Sequence, residues 1–252
     1  MGAALASGLI RVGWPPGSIA IAEKDPERCR VISEEMPGVL VGSESVDASA
    51  VVLAVKPVDA QAACKIAATS GATRVLSIMA GITTRALDSW LFNEPAVMRA
   101  MPNTPALVGA GASALAGGPR ASAGDLDWAE SVLASVGLVV RVDEESLDAV
   151  TGLSGSGPAY VFRVTEALAL AGEQAGLPRE TSRALARQTV IGAGRLLADS
   201  SEEPETLRAQ VTSPGGTTAA GLAVLDSEGL LKLFSDAVEA ATSRSIELGE
   251  AK

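Results

Sequence analysis

The 252-residue chain contains no histidine. That absence excludes Ser-His-Asp triads, histidine-ligated metals and acid–base catalysis by imidazole. Any chemistry must therefore depend on a cofactor, on carboxylates, on lysine or cysteine, or on hydroxyls and backbone amides. Aromatic residues are also scarce, at 3% of the chain. Such a composition favours closely packed helices and an α/β sheet over a sandwich rich in Tyr and Trp.

Cysteines and long apolar runs are equally sparse. Cys29 and Cys64 are too few for a disulfide framework or a zinc site, so we expect reduced thiols and no metal. No segment reaches the roughly 18 apolar residues of a membrane span, and the N-terminus lacks the basic stretch of a signal peptide. The net charge of −10 disfavours nucleic acids and anionic membranes as partners. We therefore expect a cytoplasmic protein that binds neither.

Short β-type runs separated by helix-length segments fill the first part of the chain. They lie at residues 19–22, 50–55, 74–78, 96–100, 112–116 and 138–142. This alternation predicts βαβ units and a parallel sheet. The segment that begins Asp25-Pro26 has the cap and first-turn residues of a helix start.

The β-type runs stop after Asp143, and helical periodicity replaces them. We predict helices over 158–176, 179–198, 219–225 and 230–248. The predicted domains are therefore 1–142, an α/β Rossmann-type dinucleotide-binding domain, and 143–252, an all-α domain. The helical domain either packs on the first domain or intertwines with a second copy, and the pattern alone leaves both open.

The usual opening of a dinucleotide-binding sheet is a strand followed by G-x-G-x-x-G. Met1-Gly2-Ala3 has instead the pattern of the end of such a loop, with Gly2 as its last glycine. We expect the first strand and the first two glycines to be absent from this chain, which leaves the strands on either side of that position unpaired. After the next strand, Glu23 favours the ribose hydroxyl of NAD and Lys24 favours the phosphate of NADP, so the cofactor choice stays open.

Four motifs follow in order. Ala54-Val55-Lys56-Pro57 comes directly after an apolar strand, and Lys56 is expected in the crevice at the strand's carboxyl end. The second is Ser77-Ile78-Met79-Ala80-Gly81-Ile82, in which Ala80 and Gly81 allow a flat ring to approach closely. The third is Arg99-Ala100-Met101-Pro102-Asn103-Thr104-Pro105-Ala106, which includes a loop stiffened by two prolines. The fourth, residues 151–160, is rich in small residues at the domain junction and predicts a hinge and a helix start.

The last motif, Ser213-Pro214-Gly215-Gly216-Thr217-Thr218, precedes an Ala-rich helix. Two consecutive glycines let several backbone amides converge at a helix N-terminus, which favours anions. A small carboxylate suits such a site, although a Thr-capped helix after a turn has the same local pattern.

Together these motifs resemble the pyrroline-5-carboxylate reductase family along essentially the whole chain. The resemblance implies an NAD(P)H-dependent oxidoreductase that reduces Δ1-pyrroline-5-carboxylate to L-proline, the last step of proline biosynthesis. It also implies that the helical domain forms homodimers, which often assemble further into a ring. Reductases of another cyclic imine acid, and a non-catalytic paralogue without its phosphate loop, are the alternatives.

The resemblance also assigns roles to individual residues. The substrate carboxylate is expected at Ser213, Gly215, Gly216 and Thr217, with the Thr218 hydroxyl on the ring nitrogen as the catalytic contact. The residues expected to bind NADP(H) or NAD(H) are Met1, Gly2, Glu23, Lys24, Ala54, Val55, Lys56, Pro57, Ala80, Gly81 and Asn103.

Overall fold

The structure, a computed structural model, describes residues 1–44 and 46–250, with residue 250 described by its backbone alone. The chain forms two compact units. Unit 1 comprises Met1–Ser156 together with the described residues from Glu239 onward, and unit 2 comprises Gly157–Val238. The predicted boundary after residue 142 stays a prediction; Leu147, just beyond it, is fully buried beside Ala114 and Ala116 of unit 1. Residues 251 and 252 of the predicted second domain lie outside the described part.

Unit 1 is an α/β structure with two groups of strands. β1 and β2 form one parallel pair, and the other five strands form a sheet in the order β3-β4-β5-β6-β7. The strands are β1 (Ala20–Ala22), β2 (Leu40–Gly42), β3 (Ala50–Leu53), β4 (Arg74–Ser77), β5 (Ala96–Met101), β6 (Gly111–Gly117) and β7 (Gly137–Arg141). The helices are α1 (Gly2–Arg11), α2 (Pro26–Glu35), α3 (Ala60–Thr69), α4 (Thr84–Trp90), α5 (Ala123–Ala134) and α6 (Leu147–Val150).

Both faces of the five-stranded sheet are covered at its central strands, where alternate side chains along each strand point to opposite faces. Leu76, Met98 and Leu115 contribute to a core that also contains buried residues of α1 and α5. Val75 and Val97, one residue away along β4 and β5, belong to a second core with α3 and α4. Coverage of both faces explains why the buried positions of β4 and β5 are mostly apolar, with Ser77 and Arg99 as the polar exceptions.

The predicted strands are all present, with two differences. The pairing of β5 with β6 is antiparallel, whereas we predicted a parallel sheet. The chain goes directly from β5 through a short 3₁₀ helix, Thr104–Val108, to β6, without the crossover helix that a parallel pair requires. β2 was not predicted, because the apolar run Val39-Leu40-Val41 is shorter than every run on which the prediction rested.

Among the described residues, β1 pairs only with β2, and β3 pairs only with β4. Each of these two strands therefore has one edge without a strand partner in that part of the chain. The predicted start of α2 is correct: the Asp25 side chain accepts hydrogen bonds from the amides of Glu27 and Arg28, and Pro26 is the first helical residue.

Unit 2 is entirely helical, as predicted for this part of the chain. Its helices are α7 (Gly157–Gln174), α8 (Arg179–Asp199), α9 (Pro204–Gln210), α10 (Thr217–Ser227) and the first part of α11 (Leu230–Glu250). α7 ends in a Schellman motif, in which Gly176 has a φ of +99° and Leu177 N–H donates to the Gly172 carbonyl. Pro178 is the N-cap residue of α8, which begins at Arg179 as predicted. The short α9 was not predicted.

Apolar side chains of unit 2 remain largely exposed. Within residues 157–238, all of which are described, only Ser182 and Ala186 are buried. None of the helices in the described part of the chain is long and apolar enough to cross a membrane.

Candidate active site

The carboxyl end of β3 carries the first predicted cofactor motif. Ala54, Val55 and Lys56 directly follow the last strand residue and are exposed, whereas Leu53 before them is buried. Pro57 then begins a 3₁₀ helix that leads into α3. The chain is thus open to solvent at the edge where parallel α/β sheets bind their ligands.

The N-terminus of α1 lies beside this segment. A Cβ atom added to Gly2 would lie 3.0 Å from the Ala54 Cβ, so the position has little room for a larger side chain. The first intrahelical bond of α1 runs from Leu5 N–H to the Met1 carbonyl. The amides of residues 2–4 therefore precede the helix's own bonding, and amides of this kind bind pyrophosphate in dinucleotide sites.

Glu23 and Lys24 follow β1, and both are engaged by side chains of opposite charge. The Glu23 carboxylate accepts a hydrogen bond from Asp25 N–H at 3.1 Å and lies 3.5 Å from Arg28 Nε. Lys24 Nζ donates to Asp59 Oδ1 at 3.3 Å. These pairs are largely exposed and individually weak. The Lys24–Asp59 pair links the Glu23-Lys24 segment to the segment that follows Pro57.

Ala80 and Gly81 follow β4 at the same edge of the sheet. Gly81 has a φ of +68°, which an L residue adopts only with strain. A Cβ atom there would lie 3.4 Å from the Gly249 backbone nitrogen, so the end of α11 lies against this turn. Both residues are small, and their expected contact with the cofactor stays a prediction.

Asn103 follows β5 and is 9% exposed. Its Oδ1 accepts a hydrogen bond from Ala112 N–H at 2.9 Å, and its Nδ2 donates to the Ser154 carbonyl at 3.0 Å. Ser154 lies in a π-helical turn, Thr151–Gly155, that continues α6. The structure therefore brings the predicted loop at residues 101–105 together with the motif at 151–160.

The predicted carboxylate cradle belongs to unit 2. Gly216 N–H donates to the Ser213 carbonyl at 3.0 Å, Pro214 is the second residue, and Gly215 has a φ of +69°. That combination is the pattern of a type II turn. Gly216 is the N-cap of α10, and no side chain of the described chain caps it. Thr217 and Thr218 are therefore not the N-cap, since both are already inside the helix.

The first backbone N–H groups of α10 have no hydrogen-bond acceptor within the helix. Ala220 N–H makes the first intrahelical bond, to the Gly216 carbonyl. The N–H groups of Thr217, Thr218 and Ala219 precede it and belong to the set that a helix leaves unsatisfied. Thr217 and Thr218 are exposed. The geometry suits an anion with two or three hydrogen-bond acceptors.

Comparison with known proteins places this geometry in a family. A pyrroline-5-carboxylate reductase of Pseudomonas aeruginosa is 40% identical over 256 residues, covering 99% of this chain and 94% of the relative. The chain belongs to the pyrroline-5-carboxylate reductase family. A Synechocystis enzyme of the same name is 48% identical over 182 residues, covering 71% of this chain and 68% of the relative. The resemblance inferred from the motifs is confirmed.

Family models and solved structures agree with this membership. Residues 144–248 match the model described as pyrroline-5-carboxylate reductase dimerisation, and residues 1–81 match the one described as NADP oxidoreductase, coenzyme F420-dependent. A pyrroline-5-carboxylate reductase of Coxiella burnetii is 38% identical with a TM-score of 0.91, covering 97% of this chain and 93% of its own. The Plasmodium falciparum enzyme, solved with NADP bound, is 28% identical with a TM-score of 0.81, covering 99% and 94%. The predicted fold class, a Rossmann-type domain followed by a helical one, is confirmed.

Several side chains that shape this reductase were not found by sequence reasoning. Asp59 and Arg28 pair with the two predicted ribose-reading residues. Glu144 accepts hydrogen bonds from the Thr84 amide at 2.7 Å and from Arg99 at 3.2 Å, and the Arg99 side chain is only 6% exposed. Except for Arg28, which lies close to Glu23 in the sequence, these partners come from distant positions in the chain, so no local pattern predicts them.

Proposed function

We propose that this chain reduces Δ1-pyrroline-5-carboxylate to L-proline with NADPH or NADH, and that the segment Ser213–Thr218 holds the substrate carboxylate. One observation carries the assignment of this site. The type II turn leaves the first amides of α10 facing outward at a helix start that no side chain caps within the described chain. An anion placed there receives hydrogen bonds and lies at the positive end of the helix dipole.

The roles within the cradle follow from which groups are already bonded. Gly216 N–H closes the turn on Ser213, so the amides of Thr217 and its successors are the donors left for the carboxylate. Gly215 permits the turn through its positive φ. The Thr218 hydroxyl oxygen then accepts a hydrogen bond from the protonated ring nitrogen, as its position in the first turn of α10 allows.

The residues at the carboxyl edge of the sheet fit a dinucleotide. The N-terminus of α1 at Met1 and Gly2 supplies amides for the pyrophosphate, and the exposed Ala54-Val55-Lys56-Pro57 segment lies beside it. Glu23 and Lys24 lie at the ribose position, and the Ala80-Gly81 turn forms a wall of small residues. Asn103 belongs to this group through the loop that it stabilises. When bound, the cofactor supplies a hydride to the C=N carbon of the substrate.

This chemistry suits a protein without histidine. A protonated imine is already electrophilic, so the chain's main task is to position the substrate. Amides of the cradle fix the carboxylate, which orients the ring, and Thr218 orients the C=N group. We assign no side chain as a general acid, and solvent supplies the proton on the ring nitrogen.

We further infer that the chain acts as a homo-oligomer assembled through unit 2. Its exposed apolar helices and its match to a dimerisation model support this inference. We propose the dimer as the basic unit, with assembly into a ring as a further step. We place the enzyme in the cytoplasm, where the two unpaired thiols, Cys29 and Cys64, would remain reduced.

Replacing Thr218 by alanine tests the catalytic contact. We expect kcat/KM for the imine to fall by about tenfold to a hundredfold, the effect of losing one hydrogen bond to a charged group. The KM for NAD(P)H should stay nearly constant, because the cofactor residues lie elsewhere in the sequence. Steady-state kinetics, followed by the absorbance of the reduced cofactor, measure both quantities.

Thr189→Ala is the matched control. The Thr189 hydroxyl is exposed and donates to the Leu185 carbonyl of its own helix, so its loss should leave kcat/KM within about twofold. An unchanged kcat/KM in Thr218→Ala would show that the role assigned to Thr218 is wrong.

A further inference from the structure

The π-helical turn at residues 151–155 contains a carbonyl that the sequence deprives of its ordinary partner. In a regular helix the Ser154 carbonyl would accept from the N–H four residues later. That residue is Pro158, which has no N–H. The turn instead contains a π-type hydrogen bond, in which Ser156 N–H donates to the carbonyl of Thr151, five residues earlier. The regular α-helical donor for Ser154 is therefore missing, and its carbonyl can accept from another part of the fold.

Asn103 supplies that donor. Its Nδ2 donates to the Ser154 carbonyl at 3.0 Å across 51 positions of sequence. At the other end of the same amide, Oδ1 accepts from Ala112 N–H at 2.9 Å, close to the last β5–β6 pair, Met101 with Ala114. One side chain thus joins the end of β5, the start of β6 and the π-helical turn.

Packing around this amide leaves little freedom. Asn103 is 9% exposed, and Pro102 beside it is buried. A Cβ atom added to Gly155 would lie 2.9 Å from the Met101 Cε, so the turn and the strand end are in close contact. The Asn103 amide uses its oxygen and one of its two N–H donors on backbone groups, which fixes the orientation of the side chain.

We propose that Asn103 is a positioning residue for the reduction: it fixes the loop at residues 101–105 to the π-helical turn and acts on the cofactor side of the site through that loop. This inference rests on the proposed function. π-Helical turns are often found at functional sites, where they displace one residue from the regular helical register. Here the Asn103 side chain, which follows β5, holds the Ser154 carbonyl in place. The loop at residues 101–105 and the π-helical turn therefore keep one relative arrangement.

Asn103→Asp is the direct test, because it preserves shape and the acceptor but removes the donor. At a pH of about 8 a carboxylate would face the Ser154 carbonyl without a proton, and the loop would lose its fixed position. We expect kcat at saturating substrate and cofactor to fall by about tenfold to a hundredfold, the range seen for small misplacements of reacting groups. The KM for NAD(P)H should change less than about threefold, because no direct contact is removed.

The pH dependence and a second substitution separate this role from a general loss of stability. Once protonated, the carboxyl introduced by Asn103→Asp again offers one O–H donor, so the deficit relative to wild type should shrink as the pH falls from about 8 toward about 5. In a Pro158→Ala background, residue 158 regains an N–H for Ser154. There the penalty of Asn103→Asp should drop to below about threefold.

Asn93→Asp is the matched control, since Asn93 Nδ2 also donates to a backbone carbonyl, that of Ala72, at 2.9 Å. The proposal would be overturned if the two variants lost kcat equally. It would also be overturned if the kcat deficit of Asn103→Asp changed neither with pH nor in the Pro158→Ala background. A rise in the KM for NAD(P)H with unchanged kcat would contradict it as well. Amide hydrogen exchange at residues 151–157 tests the Asn103–Ser154 bond without any measurement of enzyme activity. We expect faster exchange in Asn103→Asp but not in Asn93→Asp, even if the wild-type chain reduces no imine. Equal exchange in the two variants would show that Asn103 does not hold the π-helical turn in place.

Discussion

Unit 1 and unit 2 treat their apolar side chains in opposite ways. In unit 1, Leu76, Met98 and Leu115 have no exposed surface, and two cores lie on the two faces of one sheet. In unit 2, Phe162 is 64% exposed and Leu231 is 85% exposed. Only two residues of that unit are buried, and one of them is a serine.

The difference shows which unit buries its apolar side chains internally. A helix gains most of its stability from burying its apolar face, and unit 2 does little of this internally. Exposed apolar surface of this extent marks an interaction surface in soluble proteins. The match of residues 144–248 to a dimerisation model supports a second copy as the occupant. The same sequence therefore contains one unit that buries its apolar side chains internally and another that leaves most of them exposed.

The largest effect should come from a charge placed on that surface. We expect Phe162→Asp on α7 to raise the dimer dissociation constant by roughly a thousandfold, because each subunit loses about 2 kcal/mol of apolar burial. Phe92→Asp in unit 1 is the control, since Phe92 is similarly exposed, at 69%, but lies outside unit 2. Light scattering with size-exclusion chromatography measures both. If both variants had the same oligomer mass in solution, the assignment of the interface to unit 2 would be contradicted.

A smaller effect concerns the interior of unit 1. Burial raises the pKa of the Cys64 thiol to about 11 from 9.0, so its thiolate fraction at a pH of about 8 should be about a hundredfold below that of a free thiol. We expect iodoacetamide to modify the half-buried Cys29 first and Cys64 only on unfolding. Because burial disfavours the thiolate, the folded state loses stability as the pH rises from 9.0 toward about 11. Equal labelling rates, followed by mass spectrometry, would contradict a closed core.

The smallest effect compares one ion pair from each unit. Glu144→Gln leaves the buried Arg99 of unit 1 without its counter-charge, and we expect a loss of about 2 kcal/mol of unfolding free energy. Glu166→Gln removes a partner of Arg163 on α7, where both side chains are largely exposed, and should cost less than about 0.5 kcal/mol. Urea unfolding of both variants gives the values. A larger loss for Glu166 would show that this pair is buried in the oligomer.

Much of this architecture could be predicted from sequence because its signals are local. The apolar runs identify the strands of the main sheet, Asp25-Pro26 marks the start of α2, and Gly176 marks the end of α7. The turn and helix start at Ser213–Thr218 likewise depend on neighbouring residues only. Physical preferences of adjacent residues decide such features, so the pattern and the structure agree.

The remaining features depend on partners that are far apart in the sequence. The antiparallel pairing of β5 with β6 follows from the short path between them, which the strand pattern does not show. Asn103 was predicted as a cofactor contact, and that role stays a prediction; its bond to Ser154 spans 51 positions. One signal was available, because Pro158 stands four residues after Ser154 and removes a donor there.

The central claim is the reduction of a five-membered cyclic imine that bears a carboxylate. The most direct measurement follows oxidation of NADPH and NADH with Δ1-pyrroline-5-carboxylate, with its six-membered homologue and with 1-pyrroline, which lacks the carboxylate, and identifies the product by chiral chromatography. We expect L-proline from the first substrate, a lower kcat/KM with the homologue, and a loss of at least about a hundredfold with 1-pyrroline. Absence of cofactor oxidation with Δ1-pyrroline-5-carboxylate by the folded, oligomeric protein would contradict the proposed function, and equal rates with 1-pyrroline would contradict the carboxylate site at Ser213–Thr218.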